Sequence, residues 1–374
     1  MTTTEEYLFP SIPEYTDYDE TKEDMSSPCD VAETWHFARL FAPVAYIVVF
    51  ILAVVGNVLV LFVIRRYRQS HHSPCAYSLT DTFLLHLAIS DLLLALTLPF
   101  FASQWISGWV FTVGICKVAG ALFSLNVYCG VLFLACISFD RYLAIVHAVH
   151  TSWRNNTCLA QFACAMIWIC CIGLSAIDIH FRNVGVLHGY DKNVCFLDFK
   201  SESFEQWQLG MQLISLLLGF GLPLLVMLYC YLRIFHALCH KSTRRQKQRS
   251  LRLIISLVAV FVFCWAPYNI FKMVDSLVML KIISPSCTLN YVLDISILVT
   301  QTLGLAHTAL NPLLYGFVGV KFRHELFQMF KTTLGSTRCL RTTKFVQGQG
   351  MSRKPPGSFS SVESENTSYF SVVA

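Results

Sequence analysis

Charged residues are scarce in this sequence. Asp, Glu, Lys and Arg together make up 14% of the 374 residues, whereas hydrophobic residues make up 55%. In soluble globular domains charged residues account for about a quarter of the chain. The composition therefore excludes an ordinary soluble protein and predicts an integral membrane protein.

Residues 1–40 lack the apolar core of a secretory signal peptide. They are polar, and their acidic residues far outnumber Lys22 and Arg39. A signal peptide needs an apolar segment ahead of its cleavage site. We therefore expect the first membrane helix to act as its own uncleaved insertion signal.

Long apolar segments recur along the rest of the chain. A helix of about twenty apolar residues crosses the hydrocarbon core of a bilayer. Seven segments reach that length, which predicts an all-α membrane protein, a seven-transmembrane helix bundle. The predicted spans lie near residues 41–65, 79–103, 116–146, 158–181, 207–236, 250–276 and 291–317.

Basic residues fall in alternate loops. Arg66 follows span one, Arg154 lies between spans three and four, and Arg245 lies between spans five and six. Because basic loops stay in the cytoplasm, the N-terminus is predicted outside and the C-terminus inside. The predicted domains are an acidic extracellular tail, the bundle, an amphipathic membrane-surface helix and a disordered serine-rich cytoplasmic tail, at residues 1–40, 41–317, 318–332 and 333–374.

Four of the fifteen cysteines are predicted to lie outside the cell, namely Cys29, Cys116, Cys195 and Cys287. Four cysteines allow three pairings. A Cys116–Cys195 bridge would pin the loop before span five over the bundle, and a Cys29–Cys287 bridge would tie the tail to the loop before span seven. We expect these bridges rather than free thiols in an oxidising exterior, each contributing about 2–5 kcal/mol.

Polar side chains inside the spans are candidates for function. Asp91 is the only carboxylate near the middle of its span, and no Lys or Arg at helical spacing can pair with it. A buried carboxylate without a partner is either protonated or matched to a cation. Two interpretations stay open. Asp91, Asn126 and Asn311 hold a Na⁺ ion, or they form an interhelical hydrogen-bond cluster that fixes packing.

Prolines lie inside spans two, five, six and seven, at Pro99, Pro223, Pro267 and Pro312. Each proline removes a backbone donor and bends its helix. Trp265 lies beside one bend, in "FCWAPYNIF", and Asn311 and Tyr315 lie beside another, in "NPLLY". Such helices can have two packings of similar energy, which is what a switch requires.

The motifs of the spans carry a resemblance to a known family. "DRYLAIV" at 140–146, "CWAPY" at 264–268 and "NPLLY" at 311–315 follow in order with Asn57, Asp91, Trp168 and Pro223. In this pattern the chain resembles the class A, rhodopsin-like G-protein-coupled receptors. "TLP" at 97–99, the acidic tyrosine-bearing N-terminus and the second outer cysteine pair are similar to the chemokine receptors. "DTFLLHLA" at 81–88 and "FVGVKFR" at 317–323 look closest to CXC chemokine receptors of type 3.

The resemblance implies an activation switch in the inner half of the bundle. In the resting state of such receptors the acid of the "DRY" motif holds the next arginine, which activation releases toward the G protein. Because adjacent helix residues do not share a face, Arg141 must bend back to reach Asp140. The residues implied are Asp140, Arg141, Tyr142, Tyr231, Trp265, Pro267, Asn311, Pro312 and Tyr315.

The resemblance also implies a CXC-type chemokine as the ligand. Chemokines are small basic proteins, so an acidic, disordered tail with sulfated tyrosines would steer and wrap the ligand. The tail residues implied are Tyr7, Tyr15, Asp17, Tyr18, Asp19 and Glu20. In the pocket beneath the loops, Asp178 and Asp275 would meet the basic N-terminus of the ligand. The pocket residues implied are Phe101, Trp105, Phe123, Asp178, Tyr268, Lys272, Asp275, Asp294 and Gln301.

Partners inside the cell follow from the same resemblance. "HKSTRRQKQR" at 240–249 resembles the contact for Gi-class heterotrimeric G proteins. Serines beside Glu363 and Glu365 would be phosphorylated by receptor kinases and then bound by arrestin. The expected location is the plasma membrane, with no nucleic-acid partner, and homo-oligomers are left open.

Other classes of seven-helix protein lack the residues they need. A retinal protein needs a lysine in span seven, and residues 291–317 contain none. A zinc hydrolase needs clustered ligands, whereas His86 and His307 have no partners at ligand spacing. A transporter would show internal repeats, and the sequence shows none. We expect no enzyme activity and no cofactor besides the Na⁺ ion. The alternative is a receptor that scavenges chemokine without G-protein signalling, against which the intact Asp140-Arg141-Tyr142 argues.

Overall fold

The computed structural model describes residues 32–70, 79–147, 157–186, 192–199, 204–240, 245–318 and 326–328. Cys29 and the tail residues assigned to the ligand lie outside these ranges, as does the serine-rich tail. Of the predicted surface helix at 318–332, residues 326–328 are described and are helical. These predictions therefore stay predictions.

Helices make up almost all of the described chain, with one short hairpin. They are α1 Ala32–Ser70, α2 Leu79–Ala95, α3 Leu98–Ser107, α4 Val113–Ile145, α5 Thr157–Phe181, α6 Phe204–Leu216, α7 Leu222–His240, α8 Arg245–Met279 and α9 Cys287–Val318, with the strands β1 Arg182–Val186 and β2 Asn193–Leu197.

Seven helical segments in the described ranges are long and apolar enough to cross a membrane, which confirms the predicted seven-transmembrane fold. Span two consists of α2 and α3, span five consists of α6, a π-helical turn and α7, and each other span is one helix. The segments are Ala32–Arg66, Leu79–Ser107, Val113–Ile145, Cys158–Phe181, Gln206–Ala237, Ile254–Met279 and Cys287–Tyr315.

Two of the prolines coincide with a change in the backbone. In span two, α2 ends at Ala95 and α3 begins with Pro99 in its first turn. In span five, the π-helical turn Leu217–Gly221 immediately precedes α7, whose second residue is Pro223. A proline cannot donate the bond that would continue a regular helix, so the extra residue of a π-helical turn accommodates it. Pro267 and Pro312 lie inside helices that continue through them.

Span three is the most buried of the seven. In its most apolar window 61% of the residues are buried, against 22% in span five. Phe133, Leu134 and Ile137 of this span are fully buried. Phe235 of span five and Phe263 of span six are instead 69% exposed. Side chains that face lipid need no protein partner, so these apolar faces suit a bilayer.

A hairpin closes over the outer end of span three. β1 and β2 pair antiparallel, with Val184 opposite Cys195. Cys195 forms a disulfide with Cys116 in the first turn of span three, and the backbone N–H of Cys195 donates to Gln104 Oε1 at 2.8 Å. The first expected bridge is therefore present. Cys287 is not a free thiol, but Cys29 lies outside the described ranges, so their pairing stays a prediction.

Candidate functional site

Aromatic side chains line the outer end of the bundle. Trp105 packs against Trp35 of α1 with ring centroids 5.5 Å apart, and Phe101 lies 6.0 Å from Trp109. Deeper in the bundle is a cavity of about 30 Å³, room for little more than one water. It is lined by Phe123, Val127, Ser215, Gly219, Trp265, Tyr268 and Asn269. Phe123 and Tyr268 therefore line the cavity together with Trp265, whereas Phe101 and Trp105 belong to the outer aromatic group.

Asp178 has a full set of partners within the protein. Its Oδ1 accepts from Arg182 Nε at 3.2 Å and from Arg182 Nη2 at 3.0 Å. Its Oδ2 accepts from the hydroxyl of Ser124 in span three. Asp178 is only 4% exposed. The carboxylate that we assigned to a ligand cation is thus already paired with a cation of the receptor.

Asp275 is also paired, at a more exposed place. Lys272 Nζ lies 2.8 Å from Asp275 Oδ2, and Gln212 Nε2 of span five donates to the same oxygen at 3.0 Å. Asp294 is exposed, and among the described residues it has no hydrogen-bond or ion-pair partner. It does interact electrostatically with Asp275 and Lys272. Gln301 of span seven is half-buried.

Asp91 lies fully buried between three spans. Asn126 Nδ2 of span three donates to Asp91 Oδ1 at 3.0 Å, and Asn311 Nδ2 of span seven donates to Oδ2 at 2.8 Å. His307 Nε2 lies 3.7 Å from Oδ1. We call these four residues the Asp91 cluster. Its bonds are those of the hydrogen-bond interpretation, and they join spans two, three and seven through one carboxylate.

His307 connects the Asp91 cluster to the pocket. Trp265 Nε1 donates to His307 Nδ1 at 3.3 Å, and His307 Nδ1 also lies 2.5 Å from the carbonyl oxygen of Gly304. Trp265 lines the cavity and stands two residues before Pro267. Only the side chain of His307 therefore lies between Trp265, at the bottom of the pocket, and Asp91 in this chain of contacts.

Span one packs closely against span seven at Pro312. Asn57 Nδ2 donates to the carbonyl oxygens of Ala53 and Thr308, each at 2.9 Å. A Cβ atom at Gly56 would lie 2.8 Å from Pro312 Cβ, so a larger residue would push the two helices apart. The backbone around Pro312 is thus supported from span one.

Asp140 and Arg141 of the "DRY" motif contact span two. Thr80 Oγ1 donates to Asp140 Oδ2 at 2.8 Å and accepts from Arg141 Nη2. Arg141 Nε lies 3.6 Å from Asp140 Oδ2, so the arginine does bend back along its own helix. We call Thr80, Asp140 and Arg141 the DRY cluster. It holds the inner ends of spans two and three together.

Tyrosines surround the DRY cluster. Tyr231 of span five shares a hydrogen bond with Ser138 of span three at 2.9 Å. Tyr142 shares one with His147 Nε2 at 2.8 Å. Tyr315 is buried in span seven, only 4% exposed. Tyr142 and Tyr231 therefore lie with the DRY cluster, whereas Trp265 lines the cavity and Asn311 belongs to the Asp91 cluster.

Sequence reasoning missed Thr80, His307 and Arg182. Thr80 lies 60 residues from Asp140 and Arg182 lies four residues from Asp178. Only the second spacing gives a local signal, because residues four apart on a helix are neighbours. His307 was considered as a zinc ligand, and within the described ranges no metal-binding group of His, Cys, Asp or Glu occurs.

A family model described as the seven-transmembrane receptor, rhodopsin family, matches residues 56–315. A C-X-C chemokine receptor type 3-2 of Danio rerio is 65% identical over 369 residues, 97% of each chain. The chain belongs to the CXC chemokine receptors of the rhodopsin family. A C-X-C chemokine receptor type 3 of Bos taurus is 41% identical over 81% of this chain and 80% of its own length. A C-X-C chemokine receptor type 5 of Homo sapiens is 40% identical over 80% and 79%.

Family membership confirms the resemblance drawn from the "DRY", "CWAPY" and "NPLLY" motifs. The chain is a multi-pass receptor of the plasma membrane, and receptors of this family are not enzymes. In this receptor the outer pocket is connected through Trp265 and His307 to the Asp91 cluster, and the DRY cluster lies at the inner end of the bundle.

Proposed function

We propose that this receptor binds a CXC-type chemokine outside the cell and activates Gi-class heterotrimeric G proteins, driving chemotaxis and calcium signalling. Its N-terminus lies outside and its C-terminus inside, as the basic loops indicate. The 65% identity to a C-X-C chemokine receptor type 3-2 over nearly the whole chain supports the choice of ligand class.

The DRY cluster is the observation that favours a signalling receptor over a scavenging receptor. A receptor that only internalises its ligand has no need of an arginine held for release. Here Asp140 is buried, whereas the side chain of Arg141 is 17% exposed and is held by a hydrogen bond to Thr80 and an ion pair with Asp140. Opening the cluster would present a guanidinium group to the inner cavity, where a G-protein helix docks.

Ligand capture takes place in two stages. The acidic tail, with sulfated Tyr7, Tyr15 and Tyr18, steers the basic chemokine by long-range attraction. The basic N-terminus of the chemokine then enters the outer pocket, where aromatic rings provide apolar contacts and carboxylates provide charge.

The effect of ligand binding passes from the pocket to the inner end of the bundle through Trp265, at the bottom of the pocket. A Cβ atom at Gly304 would lie 3.0 Å from Trp265 Cε3, so the indole ring packs directly on the backbone of span seven. A ligand that displaces this ring must also move its bond to His307. The Asp91 cluster then rearranges beside the bend at Pro312, and the inner ends of spans six and seven move away from span three.

The Asp91 cluster is also our proposed site for a Na⁺ ion. The donors suit a hard cation, because Asp91 supplies a carboxylate and Asn126 Oδ1 is buried without a hydrogen-bond partner among the described atoms. Bound there, Na⁺ would neutralise the carboxylate and hold the resting arrangement of spans two and three. Asn311 would complete the site from span seven.

The cytoplasmic tail completes the proposed cycle. Receptor kinases phosphorylate its serines after activation, and arrestin binds the resulting negative patch. This part of the chain lies outside the described ranges, so the proposal rests on its sequence.

The direct test is inhibition of stimulated cAMP in cells that express the chain and are exposed to a panel of CXC and CC chemokines. The assay is run with and without pertussis toxin and with Arg141→Ala, matched for surface expression. We expect a toxin-sensitive response to a CXC chemokine that Arg141→Ala abolishes. Uptake of chemokine without any cAMP change would instead establish the scavenging alternative.

A further inference from the structure

The ion pair of Asp178 and Arg182 joins three elements beneath the outer hairpin. Asp178 belongs to span four, Arg182 opens β1, and Ser124 of span three binds the second carboxylate oxygen. Arg182 Nη1 lies 3.9 Å from Cys195 Sγ. The guanidinium group therefore lies directly under the disulfide of the hairpin, between spans three and four.

Gly120 provides the space for this guanidinium group. A Cβ atom at Gly120 would lie 1.8 Å from Arg182 Nε and 2.2 Å from Arg182 Cδ. Any side chain larger than hydrogen would therefore evict Arg182 from its position across span three. The side chain of Arg182 therefore fills the space beside Gly120 and pairs with Asp178 there.

The charges of the outer pocket are balanced differently on its two sides. On the side of spans three and four, Asp178 and Arg182 cancel. On the side of spans six and seven, the described charged residues that interact with one another are two acids, Asp275 and Asp294, and one base, Lys272. A basic group that enters the pocket is therefore attracted to the second side.

We propose that Arg182 is a positioning residue that permanently occupies the Asp178 carboxylate, holds the hairpin on span three and withdraws Asp178 from ligand recognition. The basic N-terminus of the ligand is then received by Asp294 and Asp275. The ligand half of this inference, which concerns how the ligand is received, rests on the proposed function. The hairpin half, which concerns how Arg182 and Asp178 hold the hairpin on span three, does not.

The hairpin half is tested without any ligand, by hydrogen exchange of residues 182–186 and 193–197 in the purified receptor. Arg182→Gln, Asp178→Asn and Gly120→Ala should each speed exchange by roughly tenfold or more, because each breaks a buried pair. Arg182→Gln combined with Asp178→Asn should exchange more slowly than either single variant, since no buried charge is left unpaired. Gly173→Ala is the matched control, because a Cβ atom there meets open space. Unchanged exchange in Arg182→Gln and Gly120→Ala would overturn this half.

The ligand half is tested by binding of the CXC chemokine panel in a double-mutant cycle. Asp178→Asn should weaken binding in the native background and have little further effect once Arg182 is Gln, whereas Asp294→Asn should weaken binding about tenfold in both backgrounds. An equal loss from Asp178→Asn in both backgrounds would show that Asp178 contacts the ligand and would overturn the inference. If no chemokine binds the native chain, the proposed function fails together with this half, and the exchange experiment still decides the other.

Discussion

The outer and inner ends of the bundle are held together by different kinds of bonds. At the outer end a disulfide links Cys195 to Cys116, and a buried ion pair of Arg182 and Asp178 lies beneath it. At the inner end the DRY cluster uses hydrogen bonds through Thr80 and one ion pair with atoms 3.6 Å apart. A hydrogen bond between Ser138 and Tyr231 also joins spans three and five at this end.

The difference assigns separate tasks to the two ends. A disulfide contributes about 2–5 kcal/mol, whereas a single hydrogen bond contributes about 0.5–1.5 kcal/mol. Binding of a protein ligand can supply enough free energy to exchange the inner bonds, but it cannot break the covalent one. A fixed outer end can therefore recognise the ligand while the inner end opens.

The largest expected effect comes from breaking the outer end. Cys195→Ala removes the disulfide and should abolish chemokine binding and most surface expression, because the hairpin loses its anchor to span three. Cys170→Ala is the control, since Cys170 is an exposed thiol that takes no part in the disulfide. Flow cytometry and binding of labelled chemokine measure both variants, and normal binding by Cys195→Ala would contradict a fixed outer end.

The next effect comes from removing the acid of the DRY cluster. Asp140→Asn weakens the hold on Arg141 and should raise toxin-sensitive basal signalling at equal surface expression, by roughly tenfold. Basal GTPγS binding in membranes is the measurement. Basal activity at the native level would mean that Asp140 does not restrain the receptor.

A smaller effect of the same kind is expected at Thr80. Thr80→Val keeps the shape of the side chain and removes the hydrogen bonds of Thr80 with Asp140 and Arg141. A net effect of about 1 kcal/mol corresponds to about fivefold more of the open state. Thr82→Val, two residues further along span two, is the matched control because no hydrogen bond involves Thr82 among the described residues. The prediction fails if the two variants have the same basal activity.

The smallest effect concerns the Asp91 cluster. Replacing K⁺ by Na⁺ in the assay buffer should lower agonist affinity a few-fold in the native receptor, and Asp91→Asn should abolish this dependence. Competition binding at constant ionic strength measures it. If Na⁺ and K⁺ give the same affinity in the native receptor, the cluster acts only as an interhelical hydrogen-bond network.

The sequence predicted the seven spans because each is a long apolar segment, and the prolines at 99 and 223 marked real changes in the backbone. The Cys116–Cys195 bridge could be placed from topology, whereas the hairpin that carries Cys195 was not predicted. The partners of the charged residues could not be predicted in the same way. Asp178 was assigned to the ligand, and the sequence did not show that its carboxylate binds Arg182 in the space left by Gly120.

Long-range polar contacts explain the other differences. Thr80 and His307 act through partners in distant spans, and nothing in their local sequence identifies those partners. The pairing of Lys272 with Asp275 is different, since their spacing of three residues on one helix predicts contact. Local patterns therefore determine the spans, whereas helix packing determines which polar groups meet.

The most direct test of the comparison is a pair of distance measurements by double electron–electron resonance in the purified receptor. One spin-label pair is placed at the inner end, on Cys158 and Arg252→Cys with Cys170→Ala, and one at the outer end, on Val110→Cys and Ile282→Cys with Cys158→Ala and Cys170→Ala, all at exposed positions. The chemokine that is active in the cAMP assay should lengthen the inner distance by several ångströms and leave the outer distance unchanged. An outer distance that changes as much as the inner one, or an inner distance that does not change, would contradict the account.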